Sequence, residues 1–344
     1  MIKVLNISEF LETATPLVDV RAPVEFLDSH ISGAINIPLL NDEHRVLVGT
    51  TYKQQGREAA IQLGYKLVNP LRQDLLKAIQ SISNQKKVRL YCARGGLRSA
   101  NMAQFFSEHG YEVELLKGGY KAYRKHILNV IAAYRNIIIL SAYTGSGKTE
   151  ILKALAAKQA QVLDLEDLAQ HKGSAFGNLG YNGQPSSALF HNMIYDAIHH
   201  FDKNKPLWVE NESVTIGKVY LPKELWENMK SAAGVEIEVP AEKRLKFTLE
   251  QYGHFEKNDL IACVNNLNKR LGDEETRRLS GLIAEGQLEP VVRSLFRYYD
   301  KSYEFGRSKR NCHQYVKIHF SDLNPAEIAA FLHERQDEYL NQFR

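Results

Sequence analysis

The stretch Asn136-Ile-Ile-Ile-Leu-Ser-Ala-Tyr-Thr-Gly-Ser-Gly-Lys-Thr149 decides the fold of the second part of this chain. It begins with a run of β-branched residues typical of a buried strand, passes through a glycine-rich turn and leads into a helical segment, 150–158. A strand, a loop ending in Gly-Lys-Thr and a helix are the context in which a Walker A sequence forms a phosphate-binding loop, or P-loop. The usual first glycine of that motif is replaced by Ala142, and this position tolerates a small side chain.

The residues expected to bind phosphate lie within this loop. Backbone N–H groups of such a loop cradle phosphate oxygens, the ammonium group of Lys148 adds a point charge, and the hydroxyl of Thr149 is a candidate ligand for Mg²⁺. The predicted phosphate-binding residues are Thr144, Gly145, Ser146, Gly147, Lys148 and Thr149. We expect no other metal site and no tightly bound cofactor.

Four acidic residues follow two later predicted strands. Asp164 and Glu166 come at the end of one strand, and Glu210 and Glu212 at the end of the other. Ligands of open parallel sheets bind at the carboxyl ends of the strands, so Asp164, Glu210 and Glu212 are candidates for acids near the phosphates. The alternative, that they are ordinary acids at strand ends, stays open, because a loop that does not hydrolyse a nucleotide needs no strict catalytic acid.

Short apolar runs alternate with helical patterns upstream of the P-loop, as in α/β domains. Strands are predicted at 16–20, 33–38, 87–91 and 111–116, and from Ala241 onward the pattern is mostly helical. The chain is therefore predicted to be α/β. An N-terminal domain would span residues 1–130, and a parallel-sheet P-loop domain with a helical C-terminal extension would span 131–344.

A second anion-binding loop is predicted at Cys92-Ala-Arg-Gly-Gly-Leu-Arg98, between the end of a strand and the start of a helix. Backbone N–H groups and the positive end of the helix dipole surround a side chain placed there. Arg94 and Arg98 add positive charge, and Gly95 and Gly96 let the backbone curl around an anion. These factors favour the thiolate, so Cys92 is predicted to be a nucleophile, with Arg94, Gly95, Gly96, Leu97 and Arg98 forming its anion-binding loop.

Several segments around this loop resemble the rhodanese domain. They are Asp19-Val-Arg21, Glu25-Phe26, His30-Ile-Ser-Gly-Ala-Ile-Asn-Ile-Pro38 and the loop that begins at Cys92. The resemblance implies a rhodanese-like fold for the first domain and a cysteine that carries sulfur or selenium. We expect Asp19 and Arg21 to form a structural ion pair. The segments Asn41-Asp-Glu-His-Arg45 and Val48-Gly-Thr-Thr-Tyr-Lys-Gln-Gln-Gly56 are not general features of rhodaneses.

The two domains in this order, with further segments, resemble the tRNA 2-selenouridine synthase family. These segments include Tyr52-Lys-Gln-Gln-Gly56, Lys117-Gly-Gly-Tyr-Lys-Ala-Tyr-Arg124, Leu163-Asp-Leu-Glu166 and Val209-Glu-Asn-Glu-Ser213. The resemblance implies that the wobble 2-thiouridine of tRNA is geranylated from geranyl diphosphate, and that selenium from selenophosphate then replaces the geranylthio group. It implies tRNA as the macromolecular partner and an enzyme that supplies selenophosphate as a further candidate partner.

The ligand of the P-loop has more than one interpretation. A cradle for a diphosphate holds geranyl diphosphate as well as ATP, and the resemblance favours the former. The main alternative function is an ATP-dependent P-loop kinase or NTPase fused to a rhodanese sulfurtransferase. A non-enzymatic sulfur carrier whose P-loop grips tRNA phosphate is a second alternative.

Charge and cysteine content give weaker indications. Residues 1–130 hold 17 Lys and Arg against 12 Asp and Glu, and this excess of five lies with Cys92, which favours an anionic substrate there. The cations Arg307, Lys309 and Arg310 are candidate tRNA contacts. Three widely spaced cysteines, no apolar run near the roughly 20 residues of a membrane span, and no signal-peptide pattern predict a cytoplasmic protein without membrane contact.

Overall fold

The first part of the chain forms a parallel five-stranded sheet with strand order β1-β5-β4-β2-β3. The computed structural model describes residues 1–308 and 315–342, which fall into two units. The first unit comprises Met1–Asn129 with His191–Asp196, and the second comprises Val130–Phe190 with the described part of Ala197–Arg344. The strands of the first unit are β1 Ile2–Leu5, β2 Leu17–Asp19, β3 Ile35–Asn36, β4 Lys87–Tyr91 and β5 Glu112–Leu116.

Seven α-helices begin in the first unit. They are α1 Ile7–Glu12, α2 Pro23–Asp28, α3 Asp42–Gln55, α4 Arg57–Val68, α5 Arg72–Ile82, α6 Leu97–Glu108 and α7 Gly119–Ala132, with a 3₁₀ turn at Asn69–Leu71. The core forms because Val88 and Leu90 alternate along β4 while Met102 and Phe106, one turn apart on α6, pack against them. α6 ends two residues before Gly110, whose φ of +84° is a conformation that glycine adopts without strain.

The second unit is built on a parallel sheet whose central strand leads into the P-loop. Within the described residues its strand order is β12-β11-β6-β8-β7. The strands are β6 Ile137–Ala142, β7 Gln161–Leu163, β8 Leu207–Glu210, β11 Ala233–Glu238 and β12 Tyr315–His319, with a short antiparallel pair, β9 Thr215–Ile216 and β10 Val219–Tyr220. Every residue of β6 and β8 is buried, which explains their continuous apolar runs.

Helices cover this sheet and continue as a helical C-terminal region. They are α8 Lys148–Ala157, α9 Leu165–Ala169, α10 Ser187–Ile198, α11 Lys223–Lys230, α12 Ala241–Tyr252, α13 Lys257–Asn266, α14 Asn268–Leu271, α15 Asp273–Ala284, α16 Leu288–Ser308, α17 Pro325–Glu334 and α18 Gln336–Gln342. Residues such as Val264, Leu279 and Ile283 give α13, α15 and α16 an apolar core of their own. The predicted α/β class, with a rhodanese-like domain followed by a parallel-sheet domain, is confirmed.

Two strands depart from the sequence-based prediction. No strand was predicted before residue 16, but β1 forms an edge strand that pairs with β5. β12 lies in a region expected to be helical, and it pairs with β11 from Gly234 to Glu238. Among the described residues, no helix has both the length and the apolar character needed to cross a membrane.

Candidate functional site

Cys92 comes directly after β4, and its loop leads into the first turn of α6. The side chain is 3% exposed, and its Sγ lies 3.1 Å from the hydroxyl oxygen of Ser99. Burial acts to raise the pKa of the Cys92 thiol. Hydrogen bonds from the Ser99 hydroxyl and from the backbone N–H groups of Arg94, Ser99 and Gly96 outweigh burial, so the pKa lies below its ordinary value. The loop therefore favours the thiolate by backbone and hydroxyl donors, and no sequence pattern had identified Ser99 as one of them.

The two arginines of this loop have different environments. The guanidinium of Arg98 donates to both carboxylate oxygens of Glu25, at 2.6 and 3.1 Å. Burial acts to raise the pKa of Glu25, but the hydrogen bonds and charge of Arg98 outweigh it and lower that pKa. Arg94 is exposed and has no ion-pair partner among the residues that the structure describes. Arg98 thus fixes the loop, and Arg94 remains available to an anion.

Backbone contacts hold the cysteine loop against the start of α7. Tyr120 and Lys121 donate their N–H groups to the carbonyl oxygens of Cys92 and Ala93, at 2.8 and 3.0 Å. A Cβ at Gly119 would overlap the carbonyl oxygen of Cys92 and the backbone nitrogen of Gly95. Only glycine fits at this point, because the two backbones touch and Gly119 has a φ of +59°.

The expected ion pair between Asp19 and Arg21 is present and buried. The guanidinium of Arg21 donates to Oδ2 of Asp19 at 2.6 Å and to the carbonyl oxygen of Ser29 at 2.6 Å. It also lies over the ring of Tyr120, 4.1 Å from the centroid. This pair supports the strand ends beneath the cysteine loop and has no contact with Cys92 itself among the hydrogen bonds of the described residues.

A cavity of about 700 Å³ opens in front of Cys92, entirely within the first unit. Its walls include the cysteine loop and one face each of α3 and α4. Of the described residues that line it, five are cations and none is an aspartate or glutamate; the cations are Arg45, Lys53, Arg57, Arg94 and Arg98. A cavity with this charge favours an anionic ligand.

The P-loop connects β6 to α8, which begins at Lys148. Gly145 and Gly147 take φ angles of +80° and +69°, the left-handed conformations with which such a loop curls around an anion. The ammonium group of Lys148 lies 3.4 Å from the carbonyl oxygen of Ala142, and Thr149 is half-buried beside it. The buried hydroxyl of Ser146 has no hydrogen-bond partner among the described residues. The loop has the geometry of an anion cradle.

Arg244, which sequence reasoning missed, fixes the outer turn of the P-loop. Its Nε donates to the carbonyl oxygen of Thr144 at 2.9 Å, and its two terminal nitrogens donate to the carboxylate of Asp300 at 2.9 and 2.7 Å. The side chain is buried and lies over the ring of Phe296. Nothing in the surrounding sequence distinguishes Arg244 from other cations on a helix.

The acids predicted near the phosphates lie at the carboxyl ends of β7 and β8, the two strands on one side of β6. Asp164 caps α9 by accepting from the N–H of Asp167 at 2.9 Å, and Glu210 accepts from the N–H of Glu166 at 2.6 Å. The carboxyl groups of Glu166 and Glu212 meet beside Gly173. If Gly173 carried a Cβ, that atom would lie 2.9 Å from a carboxyl oxygen of Glu166 and 2.8 Å from one of Glu212.

Burial and mutual repulsion raise the pKa values of Asp164, Glu166 and Glu210. Burial, followed by the charge of Glu212, raises the pKa of Glu166 to about 8, although the charge of Lys148 acts to lower it. Burial likewise raises the pKa of Glu210 well above its ordinary range, and the charges of Asp164 and Glu166 add to the effect. The second carboxyl oxygen of Glu210 is buried and has no hydrogen-bond partner among the described residues. Lys148 and the acid cluster therefore belong to one site.

The structure was also compared with the predictions of metal binding and of tRNA contacts. Among residues 1–308 and 315–342, no group of three or more His, Cys, Asp or Glu side chains is placed to hold a metal ion by itself. Of the candidate tRNA contacts, Lys309 and Arg310 lie outside the described residues. Arg307 falls within α16, but its side chain is likewise not described.

Comparisons with known proteins match both units. The sequence model of the tRNA 2-selenouridine synthase AAA domain matches residues 135–338, and that of the rhodanese-like domain matches residues 6–126. A tRNA 2-selenouridine synthase from Shewanella woodyi (strain ATCC 51908 / MS32) is 33% identical over 370 residues, covering 97% of each chain. One from Sulfurovum sp. (strain NBC37-1) is 36% identical over 359 residues, covering 93% of this chain and 95% of the relative.

One solved structure is similar to a smaller part of the chain. It is the N-terminal domain of a putative ATP/GTP binding protein from Clostridium difficile 630, with 40% sequence identity and a TM-score of 0.35. The match covers 37% of this chain and 99% of that domain.

Proposed function

Because the chain belongs to the tRNA 2-selenouridine synthase family, we propose that it converts the wobble 2-thiouridine of tRNA into 2-selenouridine in two steps. In the first step the sulfur attacks the first carbon of geranyl diphosphate, and diphosphate leaves. In the second step selenium from selenophosphate adds to carbon 2 of the base, the geranylthiolate leaves, and water releases phosphate from selenium. The order is chemically reasonable, because alkylation turns the thiocarbonyl sulfur into a good leaving group.

The P-loop is the proposed binding site of geranyl diphosphate. Its N–H groups and the ammonium of Lys148 would bind the diphosphate, and they act most strongly as negative charge develops on the departing group. The acid cluster beside Lys148 offers oxygen ligands, and the unpartnered buried oxygen of Glu210 fits a cation. Thr149 and Glu210 would hold Mg²⁺, which takes one or two carboxylates and completes its shell with phosphate oxygens and water. When bound, that ion supplies positive charge to the leaving diphosphate.

The Cys92 loop is the proposed site of selenium handling. The observation that carries this assignment is the lowered pKa of the Cys92 thiol, which results from the Ser99 hydroxyl and three backbone N–H groups at the floor of a cationic cavity. The same donors, with the unpaired Arg94, suit the phosphate oxygens of selenophosphate. Selenium is held there as bound selenophosphate, and it stays at the selenide level until it adds to carbon 2 of the base.

Analysis of nucleosides tests the proposal. Purified protein is incubated with 2-thiouridine tRNA and geranyl diphosphate, with and without selenophosphate, and the digested nucleosides are identified by mass spectrometry. We expect geranylthiouridine without selenophosphate and 2-selenouridine with it. Absence of the geranylated nucleoside under all conditions would contradict the two-step proposal.

The acid cluster beside Lys148 favours one other candidate function, an ATP-dependent kinase or NTPase joined to a rhodanese sulfurtransferase. A buried glutamate next to a Walker A lysine is the arrangement that such enzymes use to hold Mg²⁺ and position a nucleophile. This alternative predicts saturable ATP hydrolysis that is lost in both Lys148→Ala and Glu210→Gln. Hydrolysis that is absent in the wild-type protein argues against it.

A further inference from the structure

The helical hairpin of α3 and α4 presents one continuous face to the cavity over Cys92. On α3 the lining residues are Arg45, Val48, Gly49, Tyr52 and Lys53, and this spacing of three and four residues places them on one side of the helix. The same spacing continues along α4 from Arg57 to Val68. The hairpin is therefore oriented toward the cavity along its whole length.

Apart from Val68, which packs against the core of the first unit, this face contributes little to the protein core. No residue of α3 is buried, and Ala60 is the one buried residue of α4. Tyr52 and Tyr65 remain 58% and 52% exposed. Two consecutive helices that bury so little apolar surface gain little stability from packing, so the cavity they line needs another explanation.

The charges of the same face indicate an anionic ligand. The Nε of Arg45 is buried and has no hydrogen-bond partner among the described residues. Lys53 and Arg57 likewise have no ion-pair partner within the described part of the chain, and no carboxylate lines the cavity. A buried N–H without an acceptor is costly, so a bound anion would satisfy it.

Both apolar and cationic residues line this cavity, and its volume is larger than a small anion would fill. Leu39, Val48, Ile61, Val68 and Leu97 contribute apolar wall. Pockets for whole organic ligands span roughly 300–1,000 Å³, and the present cavity of about 700 Å³ falls within that range. Selenophosphate by itself is far smaller and has no apolar part.

We propose that this cavity binds the S-prenylated wobble nucleotide, with the prenyl chain against the apolar face of the hairpin and the flanking phosphates on Arg45, Lys53 and Arg57. This inference rests on the proposed function, because it identifies the substrate of the second step. With its prenyl chain bound to the hairpin, the nucleotide would place carbon 2 of its base beside Cys92. The same apolar wall would hold the geranylthiolate as its bond to carbon 2 breaks.

Gly49 provides a direct test of the apolar subsite. It lines the cavity from within α3, and a Cβ at this position meets no heavy atom within 4 Å. Gly49→Leu therefore fills the cavity and also favours the helix, since leucine has the higher helix propensity. Thr50→Leu is the matched control, because the exposed Thr50 is the next residue on α3 and does not line the cavity.

The assay supplies selenophosphate with tRNA that already carries either S-geranyl- or S-methyl-2-thiouridine, so the first step is bypassed. We expect Gly49→Leu to lower kcat/KM for S-geranyl tRNA by roughly tenfold or more, as expected when a ligand is forced into an overfilled pocket. Its kcat/KM for S-methyl tRNA should stay within about twofold of wild type, and Thr50→Leu should leave both values unchanged. Equal losses on both substrates, or no loss on either, would overturn the inference. A wild-type protein that selenates neither substrate would instead contradict the proposed function.

A second variant tests whether the hairpin cations bind the phosphates of tRNA or the phosphate group of selenophosphate. Arg45→Gln combined with Arg57→Gln should weaken tRNA binding and reduce the slope of log affinity against log salt by roughly 0.7 for each lost phosphate contact. If the affinity for tRNA is unchanged and only the KM for selenophosphate rises, the hairpin cations bind the small anion, and the nucleotide assignment is wrong.

Discussion

The thiol of Cys92 and the hydroxyl of Ser99 lie 3.1 Å apart, linking the first residue of the cysteine loop to the first turn of α6. The Ser99 oxygen also lies 3.2 Å from the carbonyl oxygen of Gly96. Its single proton can bond that carbonyl while Cys92 is a thiol, and it bonds the sulfur when Cys92 is a thiolate. The residue that most directly stabilises the thiolate is therefore a serine that follows the loop and not one of the two arginines within it.

Ser99→Ala should raise the pKa of the Cys92 thiol. A hydrogen bond to a charged group is worth about 1.5–3 kcal/mol, so an upward pKa shift of roughly one to two units is expected. Iodoacetamide alkylation of Cys92, followed by mass spectrometry across pH 5 to 10, measures the shift. The alkylation profile and the pH profile of selenation should move together to higher pH. Profiles that coincide with those of wild type would show that Ser99 does not stabilise the thiolate.

Cys92→Ala should abolish selenation and leave geranylation intact, because the two steps are assigned to different loops. Nucleoside analysis after incubation with geranyl diphosphate and selenophosphate should then detect geranylthiouridine as the end product. Cys263→Ser is the control, since Cys263 lies in the helical core and belongs to neither loop. Loss of both activities in a folded Cys92→Ala protein would mean that the steps cannot be divided in this way.

Lys148→Ala should slow geranylation by about 100-fold, the usual effect of removing one group that stabilises developing charge. Selenation of tRNA that is already geranylated should change by less than about twofold, since that step does not use the diphosphate cradle. Single-turnover rates of the two steps provide the measurement. Lys153→Ala, an exposed lysine on the same helix, serves as the control. An unchanged geranylation rate would remove the P-loop from this step.

Glu166 should make stability depend on pH. Its pKa is about 8 in the folded protein against an ordinary value of 4.5, so the folded state holds a proton that the unfolded state has lost between these values. The contribution of Glu166 to the free energy of unfolding is complete below about pH 4.5 and is lost as pH rises through about 8. In metal-free buffer, the Tm of wild type should therefore fall more between pH 6 and pH 9 than the Tm of Glu166→Gln, by a few degrees. Parallel curves would show that Glu166 titrates normally.

Local sequence patterns predicted the elements that carry the two loops. Lys87–Tyr91 alternates over a buried core, and β6 is a continuous apolar run, so both strands were recognisable. β1 was missed because it is an edge strand of four residues. Its two partly buried residues are three apart, a spacing that does not alternate as in a typical strand. β12 was missed because its pairing with β11 joins segments about 80 residues apart, and nothing local indicates that partner.

The sites show the same division between local and distant information. Cys92 and Lys148 stand in motifs whose spacing carries the chemistry. Ser99, Arg244 and the hairpin face gain their roles from folding, since a serine in a helix or a cation on a helix has no distinguishing pattern. The roles of the acids near Lys148 depended on strand order, which the sequence left open.

The contact between Gly119 and the cysteine loop sets a limit on engineering. Since the backbone of Gly119 touches Cys92 and Gly95, the loop and the start of α7 form a single inseparable module, although 20 or more residues of chain lie between them. A graft of the segment Cys92–Arg98 into another scaffold would lose its shape unless Gly118 and Gly119 travelled with it. Transplanting the chemistry of this thiol therefore means moving two pieces of chain at once.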